Sequence, residues 1–198
     1  KLDDYDRLCA GSLAGHILEC GAQATGGIHT DWHLSQDWDN IGFPIAEISA
    51  DGSFVMSKPE GTGGLVSFGT IAEQMLYEIG DPQAYLLPDV SCDFSAVKIE
   101  EIGKDKVRVS NAKGHPPTDS YKTSATYEDG FRLGMYHTIG GIDAAAKAQK
   151  TGEAIFKRCS RMYRDLIMPD FTETSIEVVG AEASYGPHSR ARAAREVV

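Results

Sequence analysis

SKPEGTGGLVSFGTIAEQMLYEIGDP, residues Ser57–Pro82, is the stretch from which the fold is predicted most directly. Thr70 and Glu73 have capping-box spacing, which predicts a helix that begins near Thr70. Gly80 suits a left-handed helix end, and Pro82 prevents the helix from continuing. Between these signals, apolar side chains recur at helical spacing and predict one buried face, formed by Ile71, Met75, Leu76 and Ile79.

A glycine loop, Gly61–Gly64, precedes this helix. Backbone N–H groups of glycines can approach a ligand closely, and a helix N-terminus favours negative charge. The loop has neither Walker nor dinucleotide-binding spacing, so it indicates no particular nucleotide. Two interpretations stay open at this point: a loop that holds an anionic ligand, and a tight turn whose glycines serve only the backbone.

Composition restricts the classes of protein and partner. The chain has 198 residues, 41% of them hydrophobic and 24% charged, which suits one domain or part of a larger one. Residues 1–102 contain 17 acids and 4 bases, a net charge of −13, and residues 103–198 contain 12 acids and 15 bases, a net charge of +3. The overall charge of −10 disfavours nucleic acid, which requires a basic surface.

The chain carries no sign of a membrane or secreted protein. No apolar run approaches the roughly 20 residues that span a bilayer, and residue 1 opens no signal peptide. No two of its cysteines form a Cys-x-x-Cys pair, so we expect reduced thiols and a cytoplasmic location. The chain begins without methionine, from which we expect a fragment of a longer protein. The cysteines are Cys9, Cys20, Cys92 and Cys159.

A second small-residue loop, Gly21–Gly27, precedes three polar residues at alternate positions. In an extended strand His29, Asp31 and His33 would share one face, and such a set can bind zinc or non-haem iron. The alternative is a polar edge strand without metal.

Several further patterns predict the architecture. Ile45–Ile48 and Phe54–Met56 flank the hairpin signal Asp51-Gly52, and Val97–Ile102 and Lys106–Ser110 alternate as a second hairpin. Helices are predicted at Asp3–Cys20 and Asp143–Leu166. We therefore predict one mixed α/β (α+β) domain, residues 1–198, with a mixed, largely antiparallel sheet of about six to eight strands covered by about three helices.

The helix predicted at Asp143–Leu166 carries basic side chains along one stripe. A solvated polar face opposite the core explains such a stripe, and an anionic partner is the alternative. The stripe comprises Lys147, Lys150, Lys157, Arg158, Arg161 and Arg164.

Four segments together resemble the acyclic terpene utilisation family, AtuA. They are Ala14–Gly27 with Thr30–Trp32, Gly61–Pro82, Tyr85–Phe94 and Gly180–His188. The resemblance implies a role in bacterial catabolism of citronellol and geraniol, which proceeds through coenzyme A thioesters. It also implies that an α/β half precedes this segment in longer members. His29 and His33 lie outside the family pattern, whereas matching positions are Glu19, Gln23, Thr25, Asp31, Glu60, Thr62 and Thr70.

We therefore predict an enzyme of acyclic terpenoid or branched acyl-CoA or carboxylate catabolism, of the hydratase, dehydratase or lyase type. Its site would form between the loops Gly21–Gly27 and Glu60–Gly64, with Glu60 or Asp31 as general acid–base. No cofactor is predicted, and a coenzyme A thioester would be the small anionic substrate. The alternative is a non-catalytic scaffold that binds a partner subunit or forms a homo-oligomer. The predicted ligand-binding residues are Gln23, Thr25, Gly26, Gly27, Thr62, Gly63, Gly64 and Thr70.

Overall fold

The computed structural model describes residues 3–121 and 123–188. The chain divides into two units, residues 1–126 and 127–198, and each is described by itself. The assignment of residues 1–198 to a single domain of a longer protein stays a prediction.

Helix α1 (Tyr5–Glu19) opens the first unit, close to its predicted limits. Asp4 caps it, because its side chain accepts a hydrogen bond from the backbone N–H of Arg7. Small and apolar residues at helical spacing form one buried face, and this face packs against the sheets. Its members are Cys9, Ala10, Leu13, Ala14 and Ile17.

The described residues contain seven strands in two sheets, and every strand pair is antiparallel. The mixed α+β class and the number of strands are thus as predicted, but the strands form two sheets rather than one. Both predicted hairpins are present. The first sheet has the order β1 (Ile45–Ile48), β2 (Phe54–Ser57), β6 (Lys106–Ser110), β5 (Lys98–Gly103), and the second β3 (Tyr85–Leu86), β4 (Ser91–Asp93), β7 (Lys113–His115).

The core lies between these elements. Phe54 and Met56 on β2 and Val107 and Val109 on β6 alternate inward, as period-two strands require. They join the buried face of α1 and Ile71, which is fully buried on the second helix. Apolar burial of this kind supplies most of the stability of a domain.

Helix α2 (Phe68–Leu76) begins two residues earlier than predicted, and its cap differs from the predicted one. Ser67 is the N-cap: the N–H of Thr70 donates to Ser67 Oγ, and the N–H of Ser67 donates to Thr70 Oγ1 at 3.0 Å. Thr70 is therefore the inner member of the capping box, and the Glu73 side chain takes no part in it. After α2 the residue with left-handed backbone conformation is Glu78, with φ 59°, and not Gly80 as predicted.

The second unit is built on one long helix, α3 (Ala144–Asp165), which confirms the predicted helix. The rings of Phe156 and Tyr163 pack edge-on against Phe171, at centroid distances of 5.7 and 5.0 Å. Ser160 Oγ donates to Asp170 Oδ1 at 2.8 Å on the same side. All six side chains of the basic stripe are exposed, as a solvated face requires. In the described part of the chain, no helix is long and apolar enough to cross a membrane.

Candidate active site

Three loops converge beside α2, and two of them are those predicted to form the site. Thr25 Oγ1 donates to the Gly42 carbonyl at 2.6 Å, and the N–H of Leu65 donates to the Thr25 carbonyl at 2.8 Å. An isolated bridge pairs Gln36 with Gly64. The structure therefore joins the Gly21–Gly27 loop to the glycine loop through the segment at residues 35–42.

Three glycines of this region are required by the close approach of neighbouring backbone or side-chain atoms. A Cβ on Gly64, which has φ +87°, would collide with the Thr25 carbonyl. A Cβ on Gly63 would collide with Asp37, and one on Gly26 with Ser35. Gly61 also has a positive φ, but a Cβ there would meet nothing. Close packing alone thus accounts for three of these glycines.

Of the backbone donors predicted to hold an anion, those of Thr62, Gly63 and Gly64, the two glycine N–H groups already have partners. The N–H of Gly63 donates to the Asn40 carbonyl at 2.8 Å, and that of Gly64 to the Gln36 carbonyl at 2.7 Å. An anion bound by these two groups would have to displace those hydrogen bonds. Their role in ligand binding stays a prediction.

The N-terminus of α2 attracts carboxylates from the protein itself. Asp105 Oδ1 accepts from the N–H of Val66 at 3.0 Å, and Glu101 Oε1 accepts from the N–H of Phe68 at 2.8 Å. Both acids belong to the β5–β6 hairpin. The physical preference for negative charge at a helix N-terminus is therefore met within the fold.

The remaining predicted site residues lie in different environments. The Thr25 and Thr70 hydroxyls are buried and bonded internally. Thr62 Oγ1 donates to the Pro59 carbonyl at 2.6 Å. Gln23 and Gly27 are half-buried on the first loop, whereas the two predicted acid–base residues, Asp31 and Glu60, are exposed.

The side chain that is best arranged for proton transfer is His29. Its Nδ1 lies 2.7 Å from Glu73 Oε2, and the imidazole is 5% exposed whereas the carboxylate is 38% exposed. Glu73 also accepts from the N–H of Thr30, at 3.1 and 3.2 Å. Hydrogen bonds from Thr30, and with them the bond from His29, lower the pKa of Glu73. The carboxylate is thus held ionised, so it orients a Nδ1–H tautomer of His29.

In this tautomer Nε2 of His29 has the free lone pair and can take a proton. Gly69 makes room for the ring, since a Cβ there would lie 2.9 Å from Cε1 and 3.4 Å from Nε2. Capping-box spacing assigns Glu73 to the helix cap, so the sequence did not predict this pair. The two residues lie far apart in the chain, and no local spacing indicates their contact.

The metal hypothesis depended on a strand that is absent. Trp32–Leu34 form a short 3₁₀ helix, so His33 and Asp31 do not alternate on one face with His29. Asp31 and His33 are exposed, whereas His29 is buried and bonded to Glu73. Among the residues that the structure describes, no group of three or more His, Cys, Asp or Glu side chains could hold a metal ion. The predicted strand at this segment is wrong.

Exposed apolar side chains lie near His29 in the chain and beside Gly69, the glycine that packs on its ring. Ile28 is 73% exposed and Trp32 61% exposed, and the Trp32 ring meets the Trp38 ring edge-on at a centroid distance of 6.1 Å. Phe68, next to the glycine that packs on His29, is 54% exposed. Apolar surface of this kind can contact a hydrocarbon chain.

Comparison with known proteins gives one match. A family model described as acyclic terpene utilisation family protein AtuA matches residues 1–198. Neither the curated proteins nor the solved structures contain a match.

Proposed function

The chain belongs to the acyclic terpene utilisation family AtuA, and on that premise we propose that it is an enzyme that adds or removes a proton on a branched acyl thioester or carboxylate. The family name indicates a role in acyclic terpene utilisation. The observation that carries the finer proposal is the His29–Glu73 pair, whose 2.7 Å contact leaves Nε2 available as a base.

The reaction type follows from what one oriented imidazole can do. In the hydration of a branched enoyl thioester, Nε2 of His29 would take a proton from water while the water oxygen bonds to the β-carbon. A carboxylic acid would deliver a proton to the α-carbon, and the reverse sequence would be a dehydration. Asp31 and Glu60, both exposed, are the candidates for that acid.

Two further features support an acyl substrate. The exposed side chains of Ile28, Trp32 and Phe68 would contact the branched hydrocarbon. The loops Gly21–Gly27 and Glu60–Gly64, which are joined through Thr25, would contact the polar end. Gln23 is half-buried there, and its side-chain amide offers donors.

The test is a panel of ligands on the full chain: 3-methylbut-2-enoyl-CoA, 3-methylbut-2-enoate and free coenzyme A. We expect the thioester to raise the melting temperature and to be converted to a hydrated product that mass spectrometry detects. Loss of the general base in His29→Gln should lower turnover by roughly 10²–10⁴-fold. Glu73→Gln should lower it less, because it removes only the orienting partner.

His33→Gln is the matched control, since His33 is an exposed imidazole in the same segment. It should leave turnover unchanged. Equal losses in His29→Gln and His33→Gln would overturn the role of the His29–Glu73 pair. A panel in which no compound stabilises the protein or is converted would favour the non-catalytic scaffold, and light scattering after size exclusion would then look for an oligomer.

A further inference from the structure

Two buried cysteines meet between α1 and the second sheet. Cys9 lies on the buried face of α1 and Cys92 at the centre of β4, and both side chains are 0% exposed. Both are free thiols, and the thiol of one is hydrogen-bonded to that of the other. The remaining two cysteines, Cys20 and Cys159, are partly exposed.

The backbone holds this contact in place. Cys92 pairs with Gly114 in the β4–β7 register, and a Cβ on Gly114 would collide with the Tyr5 carbonyl. Asp6 strengthens the same junction, because its Oδ1 accepts from the N–H of Gly114 at 2.9 Å. Cys9 follows Tyr5 by one helical turn, so the first turns of α1 are held against β7, the strand that pairs with β4.

We propose that Cys9 and Cys92 form a reversible disulfide that links α1 to β4 when the protein meets a hydroperoxide. One thiolate attacks a peroxide oxygen, which breaks the O–O bond, gives a sulfenic acid and releases hydroxide. The second sulfur then attacks the sulfenic sulfur, which forms the S–S bond and releases a second oxygen as water. Two thiols are oxidised, and hydrogen peroxide is reduced to two water molecules.

The hydrogen bond between the two thiols couples their ionisation. The hydrogen bond with Cys92 and burial raise the pKa of Cys9, whereas the hydrogen bond with Cys9 lowers the pKa of Cys92. The pair therefore loses its first proton more readily than its second, so one sulfur attacks as the thiolate and the other, still a thiol, resolves the sulfenic acid. Because both sulfurs are buried, the oxidant reaches them only when α1 opens locally, and the reaction should be slower than oxidation of Cys20.

The test uses the full chain with Cys20→Ser and Cys159→Ser, which leaves Cys9 and Cys92 as its only cysteines. After overnight exposure to hydrogen peroxide, we expect both free thiols to disappear and the intact mass to fall by two hydrogen atoms. The product should run as a monomer on a non-reducing gel, and dithiothreitol should restore both thiols. A cross-link that closes so long a loop should also raise the melting temperature by ~5 °C or more.

Adding Cys9→Ala to this background is the matched control. Cys92 then has no resolving partner, so the mass should rise by added oxygen, or the protein should form an intermolecular dimer. The proposal is overturned if the two-cysteine protein keeps both thiols after a treatment that consumes Cys20 in the parent protein. It is equally overturned if the peroxide gives only oxygen adducts or dimers. Neither result depends on the proposed enzymatic function.

Discussion

Helices α2 and α3 differ in how their N-terminal ends are stabilised. α2 has only nine residues, and Ser67, Glu101 and Asp105 satisfy backbone N–H groups at its start. α3 has 22 residues and begins after Asp143, which has φ 57° and makes no side-chain cap. A helix of nine residues is marginal by itself, so α2 depends on its tertiary partners, whereas the 22 residues of α3 exceed the length at which an isolated helix is marginal.

The difference extends to the polar side chains of the two helices. On α2, Glu73 bonds to His29, and the fully buried Gln74 donates to the His16 carbonyl at 3.2 Å. On α3 the basic stripe is exposed throughout. The polar side chains of α2 are therefore held in fixed orientations, because buried and bonded side chains lose their freedom to rotate.

The largest expected effect lies in the loop that precedes α2. Gly64→Ala should lower the free energy of unfolding by ~2–5 kcal/mol, because its Cβ would meet the Thr25 carbonyl and its φ is +87°. Gly61→Ala shares the positive φ but meets nothing, and should cost only ~1 kcal/mol. Urea unfolding of both variants measures the difference, and equal losses would contradict the packing argument.

The two helix starts should respond with opposite signs. Ser67→Ala removes half of the capping box of α2 and should cost ~1 kcal/mol of stability. Asp143→Gly relieves a left-handed residue that caps nothing, so it should be neutral or stabilise by up to ~0.5 kcal/mol. Thermal unfolding followed by circular dichroism measures both. If Asp143→Gly destabilises the protein by about 1 kcal/mol, the start of α3 depends on its N-cap residue as much as the start of α2 does, which would contradict this prediction.

The Glu73 contact should make stability depend on pH in the acid range. Its pKa is lowered from 4.5 in the folded state, so its contribution is present above that value and is lost as the pH falls through the folded pKa. Since the carboxylate is 38% exposed, solvent screening limits the effect to ~0.5 kcal/mol. The difference in unfolding free energy between Glu73→Gln and the parent protein should be present at pH 7 and shrink as the pH falls below 4.5, and a constant difference would contradict this linkage.

The smallest effect should be seen on the basic stripe of α3. Lys157→Ala changes an exposed side chain and should alter the free energy of unfolding by less than ~0.5 kcal/mol. A larger loss in urea unfolding would indicate a contact that a solvated face does not make. The same measurement on Arg161→Ala repeats the test one turn further along the helix.

The predictable part of the fold is local. The limits of α1 and α3 and both hairpins follow from periodicity and turn residues within short windows, and the structure confirms them. Two pairs of residues have capping-box spacing, Ser67 with Thr70 and Thr70 with Glu73. Spacing alone does not distinguish them, and the structure uses the first pair, so α2 begins earlier than predicted. The strand predicted at His29–His33 was wrong because alternation of polar residues does not distinguish a strand from an irregular loop.

The sequence by itself determined the α+β class, the antiparallel hairpins and the family, because helix and hairpin signals act between neighbours in the chain. Only the tertiary structure decided that Glu73 meets His29, that Cys9 meets Cys92, and that the N–H groups of Gly63 and Gly64 bond to the backbone. Each of these contacts joins residues from separate elements. Their partners are chosen by which faces pack together, and no local spacing carries that information.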